Sequence, residues 1–118
     1  MKTLVLGAST NNTRYSNKAI NLLRAHKHEV QGVGRDLGTV GDVEIKPDFP
    51  NDTDIDTVTM YLNPVHQQQY YDKIIAAKPR RIIFNPGAEN GELAALAHKN
   101  GIATEEACTL VLLNTGQY

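Results

Sequence analysis

The residues from Gly7 to Ser16, GASTNNTRYS, gather the aliphatic hydroxyls of Ser9, Thr10, Thr13 and Ser16 around the guanidinium of Arg14. Those side chains, with the backbone N–H groups of a Gly7-Ala8-Ser9 turn, are donors that phosphate oxygens take. A helix starting behind the loop would add the positive end of its dipole, and anion binding is the chemistry this combination favours over a plain capped turn. Neither familiar phosphate fingerprint is present. There is no Gly-x-Gly-x-x-Gly spacing and no Gly-Lys-Ser or Gly-Lys-Thr, so nucleoside triphosphate hydrolysis has no support.

Three other short segments share this turn-forming character: Gly34-Arg35, Asn63-Pro64 and Asn85-Pro86-Gly87-Ala88. An NAD site wants a carboxylate closing the second strand for the ribose hydroxyls, and Gly34-Arg35 stands there instead, although Asp36 is one step further. A guanidinium at that place suits a phosphate on the adenosine ribose, as NADP and coenzyme A carry, although a solvated surface arginine has the same signature. In each Asn-Pro pair, Asn63-Pro64 and Asn85-Pro86, the asparagine is expected to cap a helix and the proline to fill its first turn. Gly87 would let a ligand approach the backbone closely.

Chemistry beyond binding finds little support. The histidines at 26, 28, 66 and 98 have no metal-ligand spacing. Cys108 has no activating neighbour in sequence and fits a structural thiol. Ser9 and Ser16 are outside any Gly-x-Ser-x-Gly elbow, and Glu105-Glu106 would point apart on a strand. Tyr61, Tyr70 and Tyr71 fit packing roles. Binding without catalysis is the expectation, with no catalytic residue and no metal.

The elements that must position these residues alternate. Lys2 to Leu6, His28 to Gly34, Ile55 to Leu62, Arg80 to Asn85 and Ile102 to Thr104 predict strands. Helices are expected from Ser16, as N-cap, to about His26; from Asn63-Pro64 to about Ala77; and over GELAALAHKN, with Gly101 in a left-handed C-cap. Residues 35–54 predict an irregular connection with one short strand at Val43 to Ile45. The tail ACTLVLLNTGQY fits a helix or a strand equally.

This alternation predicts an α/β fold: a Rossmann-like, doubly wound domain over residues 1–118, with about five mainly parallel strands and helices on both faces. Ligands in such folds sit outside the carboxyl ends of the strands, where all four polar segments fall.

With 118 residues and 41% hydrophobic composition, one domain and one modest core are expected. A formal charge of −1 with scattered Lys and Arg offers no footprint for nucleic acid or an anionic membrane. A lone cysteine and the absence of any long apolar run predict a cytoplasmic location.

Taken together, TLVLGAST, RYS, IDTVTMYLNP, PRRIIFNPGAEN and EACTLVLLNTGQY resemble the small stand-alone CoA-binding domain proteins, which are similar to the nucleotide-binding domain of the succinyl-CoA synthetase α subunit. The resemblance spans nearly the whole chain. It implies that Gly7, Ala8, Ser9, Arg14 and Ser16 receive the phosphates of coenzyme A or an acyl-CoA, with Thr10 in the same loop. It places Gly34 and Arg35 near the adenosine, and Asn63, Pro64, Asn85, Pro86 and Gly87 along the rest of the ligand. NADP is the alternative cofactor, for a reductase-like enzyme; a ligand-free interaction module is the alternative role. The chain departs from the family at Asn11-Asn12, where relatives often have Asn-Pro, and in the glycine-rich GVGRDLGTVGD. The catalytic histidine of the synthetases belongs to another domain, so their ligase activity is not implied.

Overall fold

The computed structural model describes residues 2–118. Strand β1 (Lys2–Leu6) leads through the Gly7–Arg14 loop to α1 (Tyr15–Ala25), then β2 (Glu29–Val33). Strands β3 (Gly38–Val40) and β4 (Val43–Lys46) come next, then β5 (Ile55–Met60), α2 (Pro64–Gln67), a 3₁₀ turn over Gln68–Tyr70 and α3 (Tyr71–Ala77). The chain continues with β6 (Arg81–Phe84), α4 (Gly91–Lys99), β7 (Ala103–Glu106) and α5 (Thr109–Asn114).

The strands form one sheet in the order β3-β4-β2-β1-β5-β6-β7, parallel throughout except for the β3/β4 pair. Strand β1 lies inside it and is buried on both faces, which is why its sequence is almost continuously apolar. Leu4 and Leu6 point into a core with Val58, Met60, Ile74, Ile82 and Leu93, under α3 and α4. Val5 points the other way, to Ile20 and Leu23 of α1 and Leu113 of α5. Helices therefore cover both faces, and the doubly wound α/β class expected from the sequence holds.

The strand count does not. Seven strands form where about five were expected: the short strand expected at Val43 to Ile45 is β4, and residues 35–54 also supply β3, which pairs with it as a hairpin in place of an irregular connection. Val40 pairs with Val43 across a two-residue loop, Gly41-Asp42, in which Gly41 has φ +60°. Glycine at the first position of such a loop supplies the positive φ that a tight hairpin turn needs. Val40, Val43 and Ile45 pack inward while Thr39, Glu44 and Lys46 face out.

Three helix expectations also change. The N-cap of α1 is Arg14, and Ser16 lies inside the helix with its side chain buried. The helix after Asn63-Pro64 is broken by the 3₁₀ turn. No helix follows Asn85-Pro86 directly; α4 starts at Gly91, where the side chain of Asn90 accepts from the Leu93 N–H at 3.1 Å. The ambiguous tail is helical at α5. Gly101 has φ +77°, and the Ile102 N–H reaches back to the Ala97 carbonyl at 2.9 Å, as a left-handed C-cap requires. Among the described residues no helix is long and apolar enough to cross a membrane.

Candidate functional site

The four polar segments come together along the carboxyl edge of the sheet, since β1, β2, β5 and β6 are parallel neighbours. At the end of β1, the N–H groups of Gly7 and Ala8 both donate to the Val33 carbonyl at 2.9 Å, tying the loop to the end of β2. Gly7 has φ +99°, a conformation few other residues tolerate. Gly34 passes beneath the loop, and a Cβ there would stand 2.2 Å from the Ala8 carbonyl oxygen. The β3/β4 hairpin presses on the loop as well: a Cβ at Gly38 would lie 2.9 Å from Thr10 Cγ2.

Within the loop, Asn11 Oδ1 accepts from the Thr13 N–H at 3.0 Å and from the Thr13 hydroxyl at 2.7 Å. Ser9 Oγ accepts from the Asn11 N–H at 3.1 Å, and Asn17 Nδ2 donates to the Ser9 carbonyl at 3.0 Å. Asn17 is buried at the start of α1 and holds the loop, a role its sequence position alone did not reveal. Asn11 performs locally, through its side chain, the turn-fixing that a proline at position 12 would supply through its ring.

What the loop leaves open matters more. Arg14 makes no capping hydrogen bond with its side chain, so the N-terminus of α1 is uncapped. Among the described residues, the N–H groups of Ser9, Thr10, Tyr15, Ser16 and Asn17 donate to no protein acceptor. Arg14 and Arg35 are exposed and make no ion pair among the described residues, whereas Arg24, Arg80 and Arg81 are paired with Asp42, Asp56 and Glu105 at 2.7, 2.9 and 3.0 Å. Those partners hold Asp42 and Asp56 below the usual carboxylate range, each chiefly through its arginine hydrogen bonds. The two unpaired guanidiniums are the two at the candidate site.

At the end of β5, Asn63 caps α2 as expected: its side chain accepts from the His66 N–H at 3.1 Å, and Pro64 opens the helix. Tyr61, partly buried, packs against the core of Val5 and Leu113, and burial pushes its hydroxyl up to about 12, so it stays neutral. At the end of β6, Asn85 is turned inward. Its Nδ2 donates to Thr59 Oγ1 at 2.7 Å and to the Met60 carbonyl at 2.9 Å, and its Oδ1 accepts from the Thr109 N–H at 2.8 Å. The side chain of Asn85 thus fixes the turn and caps α5, while Pro86 and Gly87 stand exposed beside it. Gly87 has φ +92°, and its N–H donates to Glu89 Oε1 at 2.9 Å.

Gln67 joins the two turns. Fully buried, it donates from Nε2 to the carbonyls of Leu62 and Ala88, both at 2.8 Å, and accepts from Asn90 Nδ2 at 2.8 Å. Sequence reasoning passed over it in the run Gln67-Gln68-Gln69. Its signal was helical phase: Gln67 shares a face with Tyr71 and Ile74, at i+4 and i+7, and the other two glutamines do not.

Comparison with known proteins bears on this edge. Residues 1–114 match the model of a family described as CoA binding domain. A crystal structure of an uncharacterized protein is 44% identical, with a TM-score of 0.96 over 99% of this chain and 97% of that one. A hypothetical protein from Pyrococcus horikoshii OT3 shares 19% identity and a TM-score of 0.81 over 95% of this chain and 81% of its own. The apo form of a dinucleotide forming acetyl-coenzyme A synthetase 1 from Ca. Korarchaeum cryptofilum gives 15% identity and a TM-score of 0.72, over 90% of this chain and 26% of that longer one. These two distant likenesses are of fold. No curated protein matches the chain. With the family model matching all but the last few residues, the chain belongs to the CoA-binding domain family.

Proposed function

We propose that residues 1–118 form one unit that binds coenzyme A or an acyl-CoA at the carboxyl edge of the sheet and performs no chemistry on it. The observation that carries this reading is the uncapped N-terminus of α1, with its unpaired amides at Tyr15, Ser16 and Asn17 beside those of Ser9 and Thr10. A diphosphate there would meet several N–H donors, the positive end of a helix dipole and the Arg14 guanidinium. Arg35, one strand over, would take the phosphate on the adenosine ribose. The pantetheine arm would run the other way, past Asn63-Pro64 and the Pro86-Gly87 turn. The partner is thus a small molecule, without nucleic acid or membrane, in the cytoplasm.

Among the described residues, nothing at the edge pairs a nucleophile with a base: the Ser9 hydroxyl contacts the Asn11 amide, and Tyr61, packed against the core, stays neutral. This favours a carrier or sensor over an enzyme. Differential scanning fluorimetry tests the reading. A ligand at 100 times its Kd stabilises the fold by about 2.7 kcal/mol, or roughly 10 °C for a chain of this size. Coenzyme A is expected to give such a shift, dephospho-coenzyme A a smaller one and NADP little. A larger shift with NADP would favour the reductase-like alternative, and none with any of them would favour an interaction module.

A further inference from the structure

Charge along the carboxyl edge is divided. Around the β1 and β2 ends lie Arg14, Lys18 and Arg35, with Asp36 the one acid beside them, whereas residues 61–71, 85–98 and 106–118, which surround the β5, β6 and β7 ends, contain no Lys or Arg. That second half carries exposed Glu89, Glu92 and Glu106. The acid nearest the turn is fixed in place, because Glu89 Oε1 accepts from the Gly87 N–H at 2.9 Å. A carboxylate therefore already occupies the amide that an incoming carboxylate would use. After the neighbouring strand β5, helix α2, whose Gln67 donates to the Ala88 carbonyl at 2.8 Å, presents Val65 to solvent although it is a large apolar residue, 73% exposed. The two turns follow adjacent strands, about 5 Å apart.

Resting on the coenzyme A reading above, we infer that this half of the edge selects among acyl-CoA thioesters, accepting neutral, apolar acyl groups and rejecting those that end in a carboxylate. The diphosphate at α1 directs the thioester toward Val65 and Glu89, where an alkyl chain covers the exposed valine. A terminal carboxylate would instead meet a carboxylate with no Lys or Arg to answer it. Because the groups are solvated, the discrimination is expected to be modest, about threefold to tenfold in Kd, and to shrink as salt is raised.

Isothermal titration of coenzyme A, butyryl-CoA and succinyl-CoA tests this, since the two thioesters carry acyl groups with the same number of carbons. Butyryl-CoA is expected to bind at least as tightly as coenzyme A, and succinyl-CoA about threefold to tenfold more weakly than butyryl-CoA. Glu89→Gln keeps an acceptor for the Gly87 amide while removing the charge, and should narrow that gap. Equal affinity for the two thioesters, or a gap that Glu89→Gln leaves unchanged, overturns the inference and leaves the coenzyme A reading standing. Failure of all three to bind overturns both.

Discussion

Gly34 crosses under Ala8 so closely that a Cβ on it would stand 2.2 Å from the Ala8 carbonyl oxygen and 3.3 Å from the Ala8 nitrogen. The atoms in the way are backbone, so neither can swing aside as a side chain would. The loop of β1 and the end of β2 are thereby one rigid corner, on which the spacing between the α1 amides and Arg35 depends.

Gly34→Ala is therefore expected to push the Gly7–Ser9 turn outward. Overpacking of this kind costs about 1–3 kcal/mol, readable as a lower urea midpoint. Coenzyme A affinity should fall by more than that loss of folded protein accounts for, measured by titration under conditions where the variant is fully folded.

Gln67→Leu is expected to destabilise the fold by about 2–4 kcal/mol, because the Leu62 and Ala88 carbonyls lose their shared donor inside the protein. Gln68→Leu, one residue on and exposed, should change stability by less than about 0.5 kcal/mol. Equal urea midpoints for the two variants would contradict the role given to Gln67.

Acid should weaken the fold in part through Asp56, whose carboxyl is held below its ordinary value of 3.8 by the hydrogen bonds from Arg80. A depressed folded-state pKa contributes stability that is fully present above the unfolded value and disappears as pH falls from about 4 through the lower folded one. The pair is largely solvent-screened, so the contribution is below about 1 kcal/mol. Thermal melts from pH 6 to pH 2 should show a shallower loss for Asp56→Asn than for the wild type.

Arg35→Ala should remove the preference for coenzyme A over dephospho-coenzyme A while leaving binding of the latter nearly unchanged. A direct charged contact with phosphate is worth up to about tenfold in Kd at low ionic strength, and less as salt rises. Titration of both ligands at two salt concentrations checks this.

How much of this was legible in the sequence follows from how local each signal is. The apolar run of β1, the Asn63-Pro64 cap and the Gly101 C-cap depend on residues a few positions apart, and each stands where the sequence puts it. Of the β3/β4 hairpin, β4 stands at the short strand expected over Val43 to Ile45, whereas β3, three residues long, is too short for periodicity to register, although Gly41-Asp42 is a hairpin turn. Asn85 was misjudged because its partners, Thr59, Met60 and Thr109, are 24 to 26 residues away. Ser16 is a good capping residue by type, but the packing of α1 turns it inward and moves the N-cap two residues earlier, to Arg14. The same shift leaves the helix end uncapped, which is the feature the functional reading rests on.

The central claim is that coenzyme A places its diphosphate on the open amides of the β1 loop and α1. Amide NMR of the ¹⁵N-labelled protein, titrated with coenzyme A, tests it residue by residue. The amides of Ser9, Thr10, Tyr15, Ser16 and Asn17 should move most, while those of Glu29 and Asp42 at the opposite edge of the sheet stay in place. Spectra unchanged by saturating coenzyme A, or changes that spare the β1 loop, would contradict the account.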